Sequence, residues 1–212
     1  GDVYKRQVFQ RRHIILRKRY WLYYALTFIA GARRQIFLVF ASFLMVEKFG
    51  YSLAQITALF LLNAAFNMWL APLVGKIIGR VGERVALVVE YIGLIIVFIA
   101  YAFVESGTVA AGLYVIDHMF FAFAIAIKTY FQKIGAPEDM ASTASVAFTI
   151  NHIAAVVIPA AFGFIWLINP SAVFFAGAAM AALSLILSLN VPRNPEEGHE
   201  VVFGHRGERI AA

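Results

Sequence analysis

Arg33-Arg34-Gln35 stands in the middle of an apolar stretch. A charge at the centre of a bilayer costs about 2.5–3.5 kcal/mol even on insertion scales, so such residues default to a functional role. A guanidinium presents a planar fork of donors that fits a carboxylate or phosphate, which makes Arg33 and Arg34 candidates for gripping an anionic group, with Gln35 beside them. The alternative is an internal ion pair with Asp117, which stands next to His118 in the middle of another apolar stretch. Adjacent helical residues point about 100° apart, so one arginine can face a cavity while the other faces Asp117. Asp117 and His118 are also the candidates for proton coupling. A charge arriving at a nearby arginine changes a carboxylate's hold on its proton, and an imidazole titrates near neutral pH.

Further polar residues interrupt two more apolar stretches. Asn63 and Asn67 are four apart and share one helix face, and Asn151-His152 sits in another stretch. All four are candidates for orienting a bound solute. The alternative for the amides is interhelical glue of about 0.6 kcal/mol each, and for His118 and His152 a neutral ring hydrogen-bonded across helices. Glu90, near one end of its stretch, is expected to pair with a loop arginine. No H-E-x-x-H pattern and no serine nucleophile with a positioned base occurs, so enzymatic chemistry is not expected. Two histidines in apolar stretches are too few for a metal cage and there is no cysteine, so no metal or other cofactor is expected.

The elements that carry these residues follow from composition. The chain of 212 residues is 62% hydrophobic and 14% charged, against about 25% charged in a soluble domain. Six apolar segments, 20–46, 53–74, 85–104, 108–127, 140–168 and 171–191, are each long enough to cross about 30 Å of hydrocarbon as a helix. Unpaired backbone groups are costly in lipid, and runs of this length are too long for barrel strands. The expected fold is all-α, a polytopic membrane protein built on a domain spanning 20–191.

Basic residues set the orientation. Fifteen of the eighteen Lys and Arg residues fall before the first segment, in the second and fourth connections, or after the sixth; Lys48 alone falls in the opposite connections. By the positive-inside rule both termini are cytoplasmic, in a plasma or inner membrane. The net charge of +6 is therefore read as topology, not as nucleic-acid binding. Residues 1–19 are read as a non-native leader followed by a basic cytoplasmic loop, and the first methionine, Met45, lies inside a span, which suggests a fragment. The polar tail 192–212, broken by Pro195, Gly198, Gly204 and Gly207, is expected to be disordered, with His199 and His205 solvated.

Between the second and third segments the chain reads Gly75-Lys76-Ile77-Ile78-Gly79-Arg80-Val81-Gly82-Glu83-Arg84. This resembles the G-x-x-x-D-R-x-G-R-R loop of the major facilitator superfamily (MFS), which recurs in weaker form between that family's eighth and ninth helices. Gly75, Arg80, Gly82 and Arg84 match, while Gly79 replaces the aspartate and Glu83 an arginine. The glycines would allow a tight turn among basic residues held at the headgroups.

The resemblance implies the carboxy-terminal half of a twelve-helix transporter, made of two inverted three-helix repeats, with substrate held near the midplane between halves. It implies a missing amino-terminal six-helix half, a small-molecule substrate and a coupling ion as partners, with lipid around the bundle. In that scheme the polar residues should fall on the first, second, fourth and fifth helices, as they do here apart from Glu90 on the third. The expected activity is ion-coupled secondary transport of a small anionic or zwitterionic solute. A self-dimerising six-helix transporter and a membrane-embedded enzyme or scaffold are the alternatives.

Overall fold

The computed structural model describes residues 16–204. The leader up to residue 15, and His205, Arg206 and Arg209 of the tail, lie outside the described residues. Six helices are long and apolar enough to cross a membrane: α1 (Lys18–Phe49), α2 (Leu53–Val81), α3 (Glu83–Phe103), α4 (Gly107–Ile134), α5 (Pro137–Ile168) and α6 (Pro170–Ser188). The described residues form an all-helical bundle, and the only β-type pairing among them is an isolated bridge between Glu196 and His199.

Local chemistry sets most of the ends. Gly50 closes α1 in the left-handed conformation at φ 68°. Ser52 and Gln55 then form a capping box, with the Gln55 N–H donating to Ser52 Oγ at 3.3 Å and the Ser52 N–H to Gln55 Oε1 at 2.8 Å. The Asn169 side chain accepts from the Ser171 N–H at 3.0 Å, ahead of Pro170 in the first turn of α6.

Several helices run past the ends expected from hydropathy. α2 continues through Gly75 and Arg80 to Val81, and α4 continues through Lys128 and Lys133 to Ile134. Lys and Arg are good helix formers, so the helix persists where the apolar pattern stops. The expected ten-residue loop is therefore a correction: Gly75 and Gly79 lie inside α2, and the turn is Gly82 alone, at φ 84° and ψ 161°, a region essentially open only to glycine.

α3 packs most extensively against α6, and α1 against α5. The central core is aromatic, with Tyr91, Phe98, Tyr101, Tyr114 and Phe174 all fully buried. Burial is uneven. In the most apolar window of each span, 56% of α1 and 50% of α3 is buried, against 11% of α2 and 17% of α5. α1 and α3 are thus the most enclosed spans, and α2 and α5 the least.

The tail is a second correction. Residues 192–204 are not a solvated strand of chain but fold back against the helix ends. Glu200 and Val201 are fully buried. Arg19 at the start of α1 pairs with Glu200 at 2.7 Å and with Glu197 at 3.3 Å. The Tyr130 hydroxyl donates to the Glu200 carbonyl, and the Phe203 N–H to Asn190 Oδ1 at 2.6 Å. The polar composition that suggested disorder is what supplies these partners.

Candidate functional site

α1 does not stay α-helical across the membrane. After Gln35 it widens into a π-helical stretch, Ile36–Ala41, before resuming at Ser42. α4 has a matching irregularity, a short 3₁₀ turn at Ala122–Ala124 just past Asp117 and His118. Such breaks are frequent at functional sites and hinges. Here both follow the intramembrane charged residues within about one or two turns.

The two arginines part company. Arg33 is fully buried inside the bundle. Its guanidinium is 3.7 Å from the Glu90 carboxylate and stands 4.7 Å from the centroid of the Tyr91 ring. A separation of 3.7 Å is an ion pair but not a hydrogen bond, and none of the three guanidinium nitrogens has a hydrogen-bond partner among the described residues. Asp117 is also fully buried, near enough to feel both Arg33 and Glu90, and neither carboxylate oxygen has a hydrogen-bond partner among the described residues. The bundle thus encloses one cation and two acids behind its aromatic core.

Glu90 is the residue that the sequence reading misplaced. It was expected at the membrane interface with a loop arginine; instead it is fully buried against Arg33. The available signal was its acid charge within an apolar segment, seven residues after Glu83, a spacing that returns to the same helix face. Glu83 is buried too, and pairs with Lys133 of α4 at 2.7 Å. Acids on the buried face of α3 therefore find bases on α1 and α4.

Arg34 turns the other way. It is exposed, while Gln35 next to it is half-buried. His118 of α4 is half-buried and close enough for the charge of Arg34 to act on it. The His118 ring packs beside Phe37 of α1 at 5.4 Å between centroids, and its Nδ1 lies 3.2 Å from the Tyr114 carbonyl oxygen. Asn63 and Asn67 of α2 line a narrow recess with His118; Asn63 is buried and Asn67 exposed.

α5 packs along α1. Asn151 donates from Nδ2 to the Ala147 carbonyl at 3.0 Å, and its Oδ1 would lie 2.5 Å from a Cβ placed on Gly31. A Cβ at Gly31 would therefore force the Asn151 carboxamide to move. Gly31 precedes Arg34 by three residues, so both lie on one face of α1. His152 is exposed, with Nδ1 2.9 Å from the Phe148 carbonyl oxygen. Of these polar residues, His118 stands within range of the Arg34 charge and shares its recess with Asn63 and Asn67, while Asn151 meets α1 at Gly31.

The residues of the expected loop stand apart from these. Arg80 is exposed and Arg84 half-buried, at the junction of α2 and α3. No group of three or more His, Cys, Asp or Glu residues among the described residues could hold a metal ion.

A family model described as Major Facilitator Superfamily matches residues 3–159 of the chain. No curated protein and no solved structure matches it.

Proposed function

The chain belongs to the major facilitator superfamily of membrane transporters, and from that premise we propose that it is the carboxy-terminal half of a secondary transporter working by alternating access. The solute is small and anionic or zwitterionic, and a proton or sodium gradient drives its movement. Both termini face the cytoplasm of a plasma or inner membrane, since the basic residues gather at that end. The amino-terminal half covers α2 and α5, the least enclosed spans, and solute sits between the halves.

The observation that carries this reading is the divergence of Arg33 and Arg34. A bundle that needed only internal charge balance would bury both. Instead Arg33 is enclosed with Glu90 and Asp117, while Arg34 stays exposed with His118 in range of its charge. Arg34 holds the anionic group of the solute, and Gln35, Asn63, Asn67, Asn151 and His152 surround it. Asp117, one residue from His118 and beside the Arg33 ion pair, is the site of proton coupling.

In the full-length parent, Arg34→Gln abolishes uptake while membrane insertion is kept. Uptake unchanged by Arg34→Gln overturns the substrate reading. Asp117→Asn makes uptake insensitive to the pH gradient; an unaltered pH dependence removes Asp117 from the mechanism.

A further inference from the structure

Asn63 is 2% exposed, and neither its Oδ1 nor its Nδ2 has a hydrogen-bond partner among the described residues. A buried amide left unpaired is costly, so its neighbours point to what would satisfy it. It lines the recess between α2 and α4 together with Asn67 and His118, and Phe66, Val115 and Met119 close the sides. The recess as it stands holds no space for a water-sized group, so a slim polar atom reaches Asn63 only as the lining side chains shift, and a branched group such as a carboxamide is excluded.

The chemistry on offer is mixed. Asn63 brings one acceptor and two donors. His118 brings an acceptor: its Nδ1 lies 3.2 Å from the Tyr114 carbonyl oxygen, which can only accept, so Nδ1 carries the hydrogen and Nε2 keeps its lone pair. A group that satisfies the recess must donate and accept at once. An ammonium only donates, which leaves the Asn63 Nδ2 unpaired, and it would enter the positive field of Arg34. A carboxylate only accepts, which leaves His118 Nε2 and Asn63 Oδ1 unpaired. A hydroxyl does both at once, pairing Asn63 Nδ2 and one of the two acceptors.

Resting on the reading of Arg34 as the anion-binding residue, we infer that this recess is a hydroxyl subsite and that the transported solute is a small hydroxylated organic anion. Its oxyanion, carboxylate or phosphate, lies on Arg34. Its hydroxyl donates to His118 Nε2 and accepts from Asn63 Nδ2, and Asn67 at the recess takes a neighbouring hydroxyl. Asn63 and His118 are then specificity-determining residues, and a zwitterionic solute is disfavoured.

The test uses the purified full-length parent in lipid nanodiscs with ¹⁵N-labelled histidine, and gluconate, glucose 6-phosphate, hexanoate, 6-aminohexanoate and glucose as probes. Gluconate or glucose 6-phosphate binds at least about tenfold more tightly than the other three, and the stronger of the two identifies the oxyanion. The bound probe moves the His118 Nε2 resonance, and hexanoate leaves it in place. Asn63→Leu removes the preference for gluconate over hexanoate.

Equal binding of gluconate and hexanoate, still dependent on Arg34, overturns the hydroxyl subsite and leaves the anion reading standing. No anion binding, or anion binding indifferent to Arg34→Gln, overturns both. If Asn63→Leu fails to insert, the His118 resonance in the unaltered parent decides: a shift with gluconate alone upholds the subsite, and no shift overturns it.

Discussion

Replacing Arg33 with methionine should be far more damaging than the same change at Arg34. Arg33 and Glu90 are both fully buried, with guanidinium and carboxylate 3.7 Å apart. Removing one member of a buried ion pair leaves the other charge uncompensated, which costs about 3–5 kcal/mol. The Arg33 guanidinium also lies over the Tyr91 ring, a desolvated contact worth up to about 2 kcal/mol. Because the pair geometry is long and lacks hydrogen bonds, the lower end is the better guide, and a loss of about 4 kcal/mol is expected for Arg33→Met. Arg34 is exposed, and substitutions at such positions stay within about 0.5 kcal/mol. The assay is denaturant unfolding in mixed micelles, followed by tryptophan fluorescence. A third variant separates electrostatics from packing: Arg33→Met with Glu90→Gln and Asp117→Asn removes every charge of the cluster and should recover most of the loss, since a neutral set of similar volume is often no worse than buried ions. An Arg33→Met loss no larger than that of Arg34→Met, or a triple variant no more stable than Arg33→Met, refutes the buried charge cluster.

Gly82→Ala should cost about 1–3 kcal/mol in the same unfolding assay, because φ 84° with ψ 161° is strained for any residue with a Cβ. Gly31→Val should loosen the contact between α1 and α5, seen as lower thermal stability, and Asn151→Ala should restore part of it by removing the atom that a Cβ at Gly31 would strike. Glu200→Gln weakens the ion pair with Arg19 and should make residues 192–204 susceptible to limited proteolysis while the helices stay resistant; unchanged cleavage would show that Arg19 does not hold the tail.

Six spans were legible because each depends on a run of apolar residues and on nothing elsewhere in the chain. Where the spans end was less legible. Lys128 and Lys133 look like loop residues by hydropathy, yet α4 passes through both, since leaving the apolar core does not end a helix. The tail shows the same limit: Glu200 looks like a solvated acid until Arg19, at the other end of the chain, meets it. The candidate site was legible as a set of residue types and illegible as an arrangement. Arg33 and Arg34 have the same side chain and adjacent positions, and only about 100° of helix rotation separates a buried ion pair from an open binding face. What settles the rotation is Glu90, on a different helix, and its position on the buried face of α3 cannot be read from a segment that is apolar all round. A charged residue in a membrane span therefore announces that it has a partner, while the identity of that partner is fixed by packing between helices.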